Sequence, residues 1–193
     1  MPQEIPQTGR LDKGKDPGYG VGVPGKRQVG SSSARRRRRR GRLSERARPV
    51  VAVADLQQAL TVSPARLRRL VKFVARQEGQ RPAQVDLAIV SSREMAGLNR
   101  RYLHRRRATD VLSFDLSEAG ARGLVLQIVV CADLARAQGR FHGHSGEEEL
   151  LVYVIHGLLH QMGYEDASVR GAARMHARED QILAKFLKTD SKG

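Results

Sequence analysis

The chain has 193 residues, with 35 Lys and Arg against 20 Asp and Glu and a net charge of +15. That length suits one domain with extensions, and the single cysteine, Cys131, excludes an internal disulfide and fits a reducing compartment. No apolar run follows the start as a secretory signal needs, and the stretch from Leu150 towards Met162 is too short and interrupted to span a bilayer. A cytoplasmic protein without membrane contact is expected.

Residues 1–48 contain fourteen basic and four acidic side chains, +10 of the net charge, with Gly, Pro and Ser throughout and almost no large apolar residues. Such a segment cannot bury enough surface to offset its ordering entropy, so a disordered basic tail is expected. The run Arg35 to Arg40 has phosphate affinity by simple electrostatics, although no interleaved aromatic residues supply base stacking. A solvated solubility tail and a wrongly chosen upstream start codon are the plain alternatives.

After the tail, Val50 to Val53 reads as a short strand. Ser63 and Pro64 are an N-cap and first helical residue, opening a helix to about Gln77 that Gly79 closes. Val85 to Val90 alternates as a strand with Val85, Leu87 and Ile89 on one face. Ser91 and Glu94 form a capping box for a helix to Tyr102. Val111 to Leu116 and Leu124 to Cys131 read as two further strands, and Asp133 as the cap of a helix towards Arg140. Ser145 and Glu148 form a second capping box, and Glu147, Glu148 and Glu149 suit the positive end of the helix that follows. A final amphipathic helix runs from Val169 to about Leu187 with Ala172, Met175, Ile182 and Phe186 inside.

The order β-α-β-α-β-β-α-α-α is consistent with an α+β fold in which helices cover a four-stranded mixed sheet. The domain is placed at 49–188, with a flexible end at 189–193. Tyr102 and Phe114 read as core residues. Thr109, Asp110 and Ser113 are expected to fix a loop and strand beside a cleft. His104, His142, His144 and His176 show no ligand spacing and read as surface residues, with His176 held as a fallback ligand.

The segment His156-Gly157-Leu158-Leu159-His160-Gln161-Met162-Gly163-Tyr164-Glu165-Asp166 carries the sharpest chemical signal. Histidines four apart on a helix project from one face, the spacing a tetrahedral metal needs from a rigid element. Gly163 can end the helix in a left-handed turn, which lets Asp166 swing back as a third ligand. Two nitrogens and one carboxylate oxygen leave one position open for water, the pattern of a catalytic zinc site. The bland reading is a pair of core histidines, but burying two unpartnered imidazoles costs about 1–3 kcal/mol each.

The pattern H-x3-H-x2-G-x2-(H/D) is shared by metzincin proteases, which place a general-base glutamate directly after the first histidine; Gly157 stands there. HGLLHQMGY resembles instead the signature of the YbeY family, zinc-dependent endoribonucleases of ribosomal RNA maturation. Leu98-Asn99-Arg100-Arg101-Tyr102 and Thr109-Asp110-Val111-Leu112-Ser113-Phe114 resemble the family's LNxxYR and TDVLSF blocks in order and spacing. Ile128-Val129-Val130-Cys131, Ala135, Gln138, Gly143-His144-Ser145 and Glu149 resemble its linking region, so the similarity runs from about Val50 to Leu187.

The resemblance implies the same architecture with a zincin-like metal-bearing helix, and one zinc ion per chain on His156, His160 and Asp166. It also implies a single-strand endoribonuclease acting near the 3′ end of small-subunit (16S) ribosomal RNA, in ribosome biogenesis, with ribosomal RNA and the small subunit as partners. Asp166 replaces the family's usual third histidine, Leu103 an arginine implicated in activity, and Leu126-Gln127 a Gly-Asp pair. Arg105, Arg106 and Arg107 lie between the two motifs and are candidates to hold the phosphate backbone in place of that arginine, against a plain exposed basic loop. Glu165 is the nearest carboxylate for proton transfer, but the sequence names no catalytic residue beyond the ligands. Two other functions stay open. Leu103 favours a non-catalytic RNA-binding assembly factor, and Gly157 argues against a zinc peptidase.

Overall fold

A computed structural model of the chain describes residues 49–104, 107–118 and 123–191, except for the side chain of Leu103. The basic tail, Arg105 and Arg106 therefore lie outside the described residues.

Nine elements follow in the expected order: β1 (Val50–Asp55), α1 (Pro64–Gln77), β2 (Gln84–Val90), α2 (Ser92–Leu103), β3 (Val111–Asp115), β4 (Val125–Cys131), α3 (Ala132–His142), α4 (Gly146–Gln161) and α5 (Val169–Asp190). The four strands form one mixed sheet in the order β1-β2-β4-β3. β1, β2 and β4 run parallel, with Val51 opposite Val85 and Val85 opposite Leu126. β3 lies antiparallel on the edge beyond β4, with Ser113 opposite Ile128.

Burial explains the composition of β4. Its Leu126, Ile128 and Val130 join the large core shared with α1, α4 and α5, while Val129 and Cys131 face a smaller core with Met95 of α2. A strand buried on both faces reads as a nearly continuous apolar run, and VLQIVVC is one. α4 lies in the larger core with Leu150, Leu151, Val154, Ile155, Leu158 and Leu159 fully buried. At about 1.5–3 kcal/mol for each such side chain, this helix is anchored far more firmly than its capping alone could manage. Among the described residues no helix is long and apolar enough to cross a membrane.

Both expected capping boxes form, on α2 and on α4. Asp133 departs from expectation. Its carboxylate caps no turn of α3 but accepts from the Ser92 backbone N–H at 2.7 Å, so it satisfies an open donor at the start of the neighbouring α2. Gly171 rather than Ala172 takes the fully buried place in the first turn of α5. The helix also continues into the segment expected to be flexible, because Asp190 is held by Arg66 at 2.7 Å and Arg69 at 2.6 Å. Tyr102 is 53% exposed rather than core, lying against the half-buried Phe114 with ring centroids 5.6 Å apart.

Candidate metal centre

The C-terminal half of α4 puts His156 and His160 one turn apart at the edge of the large core. Gly163 follows at φ +94°, a backbone state open to glycine at no steric cost, and turns the chain back over the helix end. That return brings Asp166 to the pair. His160 Nε2 stands 3.0 Å from His156 Nε2 and 3.7 Å from Asp166 Oδ2, and the three ligand atoms lie within 4.8 Å of one another.

The other ring nitrogens decide what this arrangement can hold. His156 Nδ1 meets the Glu179 carboxylate at 2.6 Å and His160 Nδ1 meets the Tyr164 carbonyl at 3.1 Å. Both partners are acceptors, so each Nδ1 carries the hydrogen. In the neutral rings the two Nε2 lone pairs then face each other across 3.0 Å. Two acceptors at that distance repel unless a second proton or a metal cation lies between them. Donors about 2.05 Å from a tetrahedral ion stand about 3.3 Å apart, between the two separations found here. The residues therefore fit a zinc-class ion, with Glu179 and the Tyr164 carbonyl in the supporting positions that fix ligand tautomers.

Burial disfavours a charged His156 ring, but the Glu179 hydrogen bond and charge, helped by Asp110 and Asp166, outweigh it and raise its pKa above the ordinary histidine value. A proton is thus the natural competitor for a metal here.

Distant elements hold the returning loop. The Tyr164 hydroxyl donates to Glu78 Oε2 at 3.0 Å, and Arg178 of α5 donates to the same carboxylate at 2.7 Å. Burial, then the Glu78 contact, raises the Tyr164 pKa, so the hydroxyl keeps its proton. On the sheet side Gln161 donates to Ser113 Oγ at 2.8 Å, fixing the end of α4 to β3. Asp110 accepts from Thr109 Oγ1 at 3.0 Å and from the Val111 N–H at 2.9 Å, as expected of that loop.

Gly157 has a packing reason. A Cβ there would lie 2.8 Å from Val111 Cγ2 and 3.2 Å from Ile128 Cγ2, so the helix can approach the sheet only without a side chain. A glutamate at this position would displace β3 and β4 side chains.

Arg107 is exposed, and its carbonyl accepts from Asn99 Nδ2 at 2.6 Å. Glu165 is exposed and makes no side-chain hydrogen bond among the described residues, whereas Glu179, which sequence reasoning passed over, holds the ligand ring. Its signal was present as an acid on the inner stripe of α5, between Met175 and Ile182. A second group also went unread: His142, His144 and Glu149 place one ligand atom each within 4.8 Å of one another.

Compared with known proteins, the sequence matches the profile of the family described as Endoribonuclease YbeY over residues 53–187. It is 35% identical over 128 residues to the Endoribonuclease YbeY of Macrococcus caseolyticus, covering 62% of this chain and 83% of that protein. With the Endoribonuclease YbeY of Renibacterium salmoninarum it shares 34% identity over 145 residues, 70% of this chain and 92% of the relative. The solution structure of TM1509 from Thermotoga maritima superposes with a TM-score of 0.52 at 25% identity, covering 72% of this chain and 92% of that one.

Proposed function

The chain belongs to the YbeY endoribonuclease family, and on that premise we propose that it is a metal-dependent, single-strand-specific endoribonuclease. Its substrate in this reading is the 3′ region of small-subunit ribosomal RNA, cleaved in the cytoplasm during ribosome biogenesis. The observation that carries the metal dependence is the pair of His156 and His160 Nε2 atoms 3.0 Å apart with both Nδ1 hydrogens already committed.

His156, His160 and Asp166 would hold a zinc ion, which would supply Lewis-acid chemistry towards water and the phosphodiester. The protein's own groups do the positioning. Glu179 and the Tyr164 carbonyl keep both Nε2 lone pairs directed at the site, and Gln161 with Ser113 keeps the helix end against the edge strand. Arg107, with Arg105 and Arg106, contacts the phosphate backbone as it enters, and residues 1–48 add longer-range phosphate attraction.

Leu103, standing where the resemblance implies an arginine, favours a second reading: an RNA-binding ribosome-assembly factor that has lost cleavage. The full-length protein incubated with single-stranded RNA from the small-subunit 3′ region, with and without a chelator and with casein in parallel, separates the readings. Chelator-sensitive cleavage of single strands, with duplex spared, is expected. Tight RNA binding without cleavage under any metal supports the assembly factor, and casein hydrolysis contradicts both.

A further inference from the structure

We propose that His142, His144 and Glu149 form a second divalent-metal site, of the zinc class, at the opposite end of α4 from the first. The site is assembled around one turn. His142 ends α3, Gly143 reverses the chain at φ +79°, His144 follows, and Glu149 projects from the first turn of α4.

Two observations point to a cation there. Glu149 has a carboxylate only 7% exposed, and its only ion-pair partners among the described residues are these two histidines. His142 and the Tyr153 hydroxyl offer this carboxylate hydrogen bonds, but no Lys or Arg pairs with it among the described residues. Next, His144 Nδ1 lies 3.2 Å from the Ser145 carbonyl, an acceptor, so that nitrogen carries the hydrogen. The Nε2 of neutral His144 then turns a lone pair towards Glu149 Oε2 at 3.2 Å, acceptor against acceptor.

The distances fit a metal better than direct ion pairs. Glu149 Oε2 stands 3.3 Å from His142 Nδ1 and 3.2 Å from His144 Nε2. Charge-assisted N–H···O bonds close to about 2.7–2.9 Å, whereas donors around a tetrahedral zinc stand about 3.3 Å apart. Two imidazoles and one carboxylate, without a thiolate, suit zinc, nickel or copper rather than calcium or magnesium, which take oxygen ligands. The rings are 44% and 32% exposed, which lets an ion enter and leaves room for water as a further ligand. An ion here would tie the end of α3 to the start of α4, a bracing role independent of the nuclease reading.

The test is zinc titration of the metal-free, full-length protein, followed by long-range proton–nitrogen spectra of the imidazoles and by metal content after dialysis. Wild type should retain two equivalents, with the second shifting His142 Nδ1 and His144 Nε2. His142→Asn, altering a half-exposed residue, should retain one equivalent, with the His156 and His160 signals and any chelator-sensitive cleavage unchanged; His144→Gln should behave alike. Because the signals are assigned by residue, failure here is distinct from failure of the first centre. Zinc that leaves the His142 and His144 signals unmoved in wild type, or a second equivalent that persists in both variants, overturns the proposal.

Discussion

The two ends of α4 both gather two histidines and a carboxylate, on different supports. At the C-terminal end one rigid helix face supplies both rings, and a loop folded back at Gly163 supplies an exposed carboxylate, Asp166, that is 46% accessible. At the N-terminal end the helix supplies a buried carboxylate, Glu149, and the preceding turn supplies two accessible rings. Among the described residues, only the first end has a remote residue, Glu179, that holds one of its rings from another helix. On the proposed reading, that difference separates a centre preorganised for chemistry from one suited to joining two helices.

Removing a ligand is the largest perturbation. His160→Ala should take RNA cleavage to the level of the chelated enzyme, remove one equivalent of zinc and lower the melting temperature, while the His142 and His144 signals stay in place. Full zinc content with intact cleavage would break the distinction between the ends. Asp166→His should keep or tighten zinc, because imidazole is what the family resemblance implies at that position; loss of metal would show a loop adapted to a carboxylate.

Glu179→Gln comes next. It keeps the volume but removes the charge that orients His156, so zinc affinity at the C-terminal end should fall by about 10–100-fold with the other end unaffected. An unchanged titration would reduce Glu179 to a packing residue.

The raised pKa of His156 makes the apo and zinc-loaded proteins respond to acidity over different pH ranges. Without metal, the stabilisation from its contact with Glu179 is fully present below the unfolded histidine value of about 6.5 and is lost as pH rises through the higher folded value. Zinc needs the neutral ring, so affinity should fall by up to about tenfold per unit as pH drops below that folded value. Between about 6.5 and the folded value, melting curves should therefore fall with rising pH in chelator and stay level with saturating zinc. Parallel slopes would remove the His156 proton from the competition.

Gly157→Ala has the smallest expected effect on the centre. Its Cβ meets Val111, so stability should fall by about 1–3 kcal/mol from overpacking, partly offset by about 1 kcal/mol of helix propensity. Zinc affinity should move less than twofold in equilibrium dialysis, since no ligand is touched.

Much of this was legible in the sequence because the signals were local. Ser91 with Glu94 and Ser145 with Glu148 each announced a helix start, and His156 and His160 a shared face, within one turn of chain. What went unread depends on contacts between distant segments. Asp133 caps a helix 41 residues away in sequence, and Glu179 reaches a histidine 23 residues away. Tyr102 looked like core from its apolar ring, yet it sits at the end of α2, exposed beside Phe114 and the Arg101 guanidinium. His142 and His144 lacked a helical spacing because a turn, not a helix, brings them together.

The most direct measurement is zinc titration of the metal-free, full-length protein with His156 and His160 imidazole resonances and single-strand RNA cleavage read on the same samples. Both Nε2 signals should shift with the tighter equivalent, and cleavage should return in step with them. Cleavage that returns while those two signals stay unmoved would contradict the assignment of this centre.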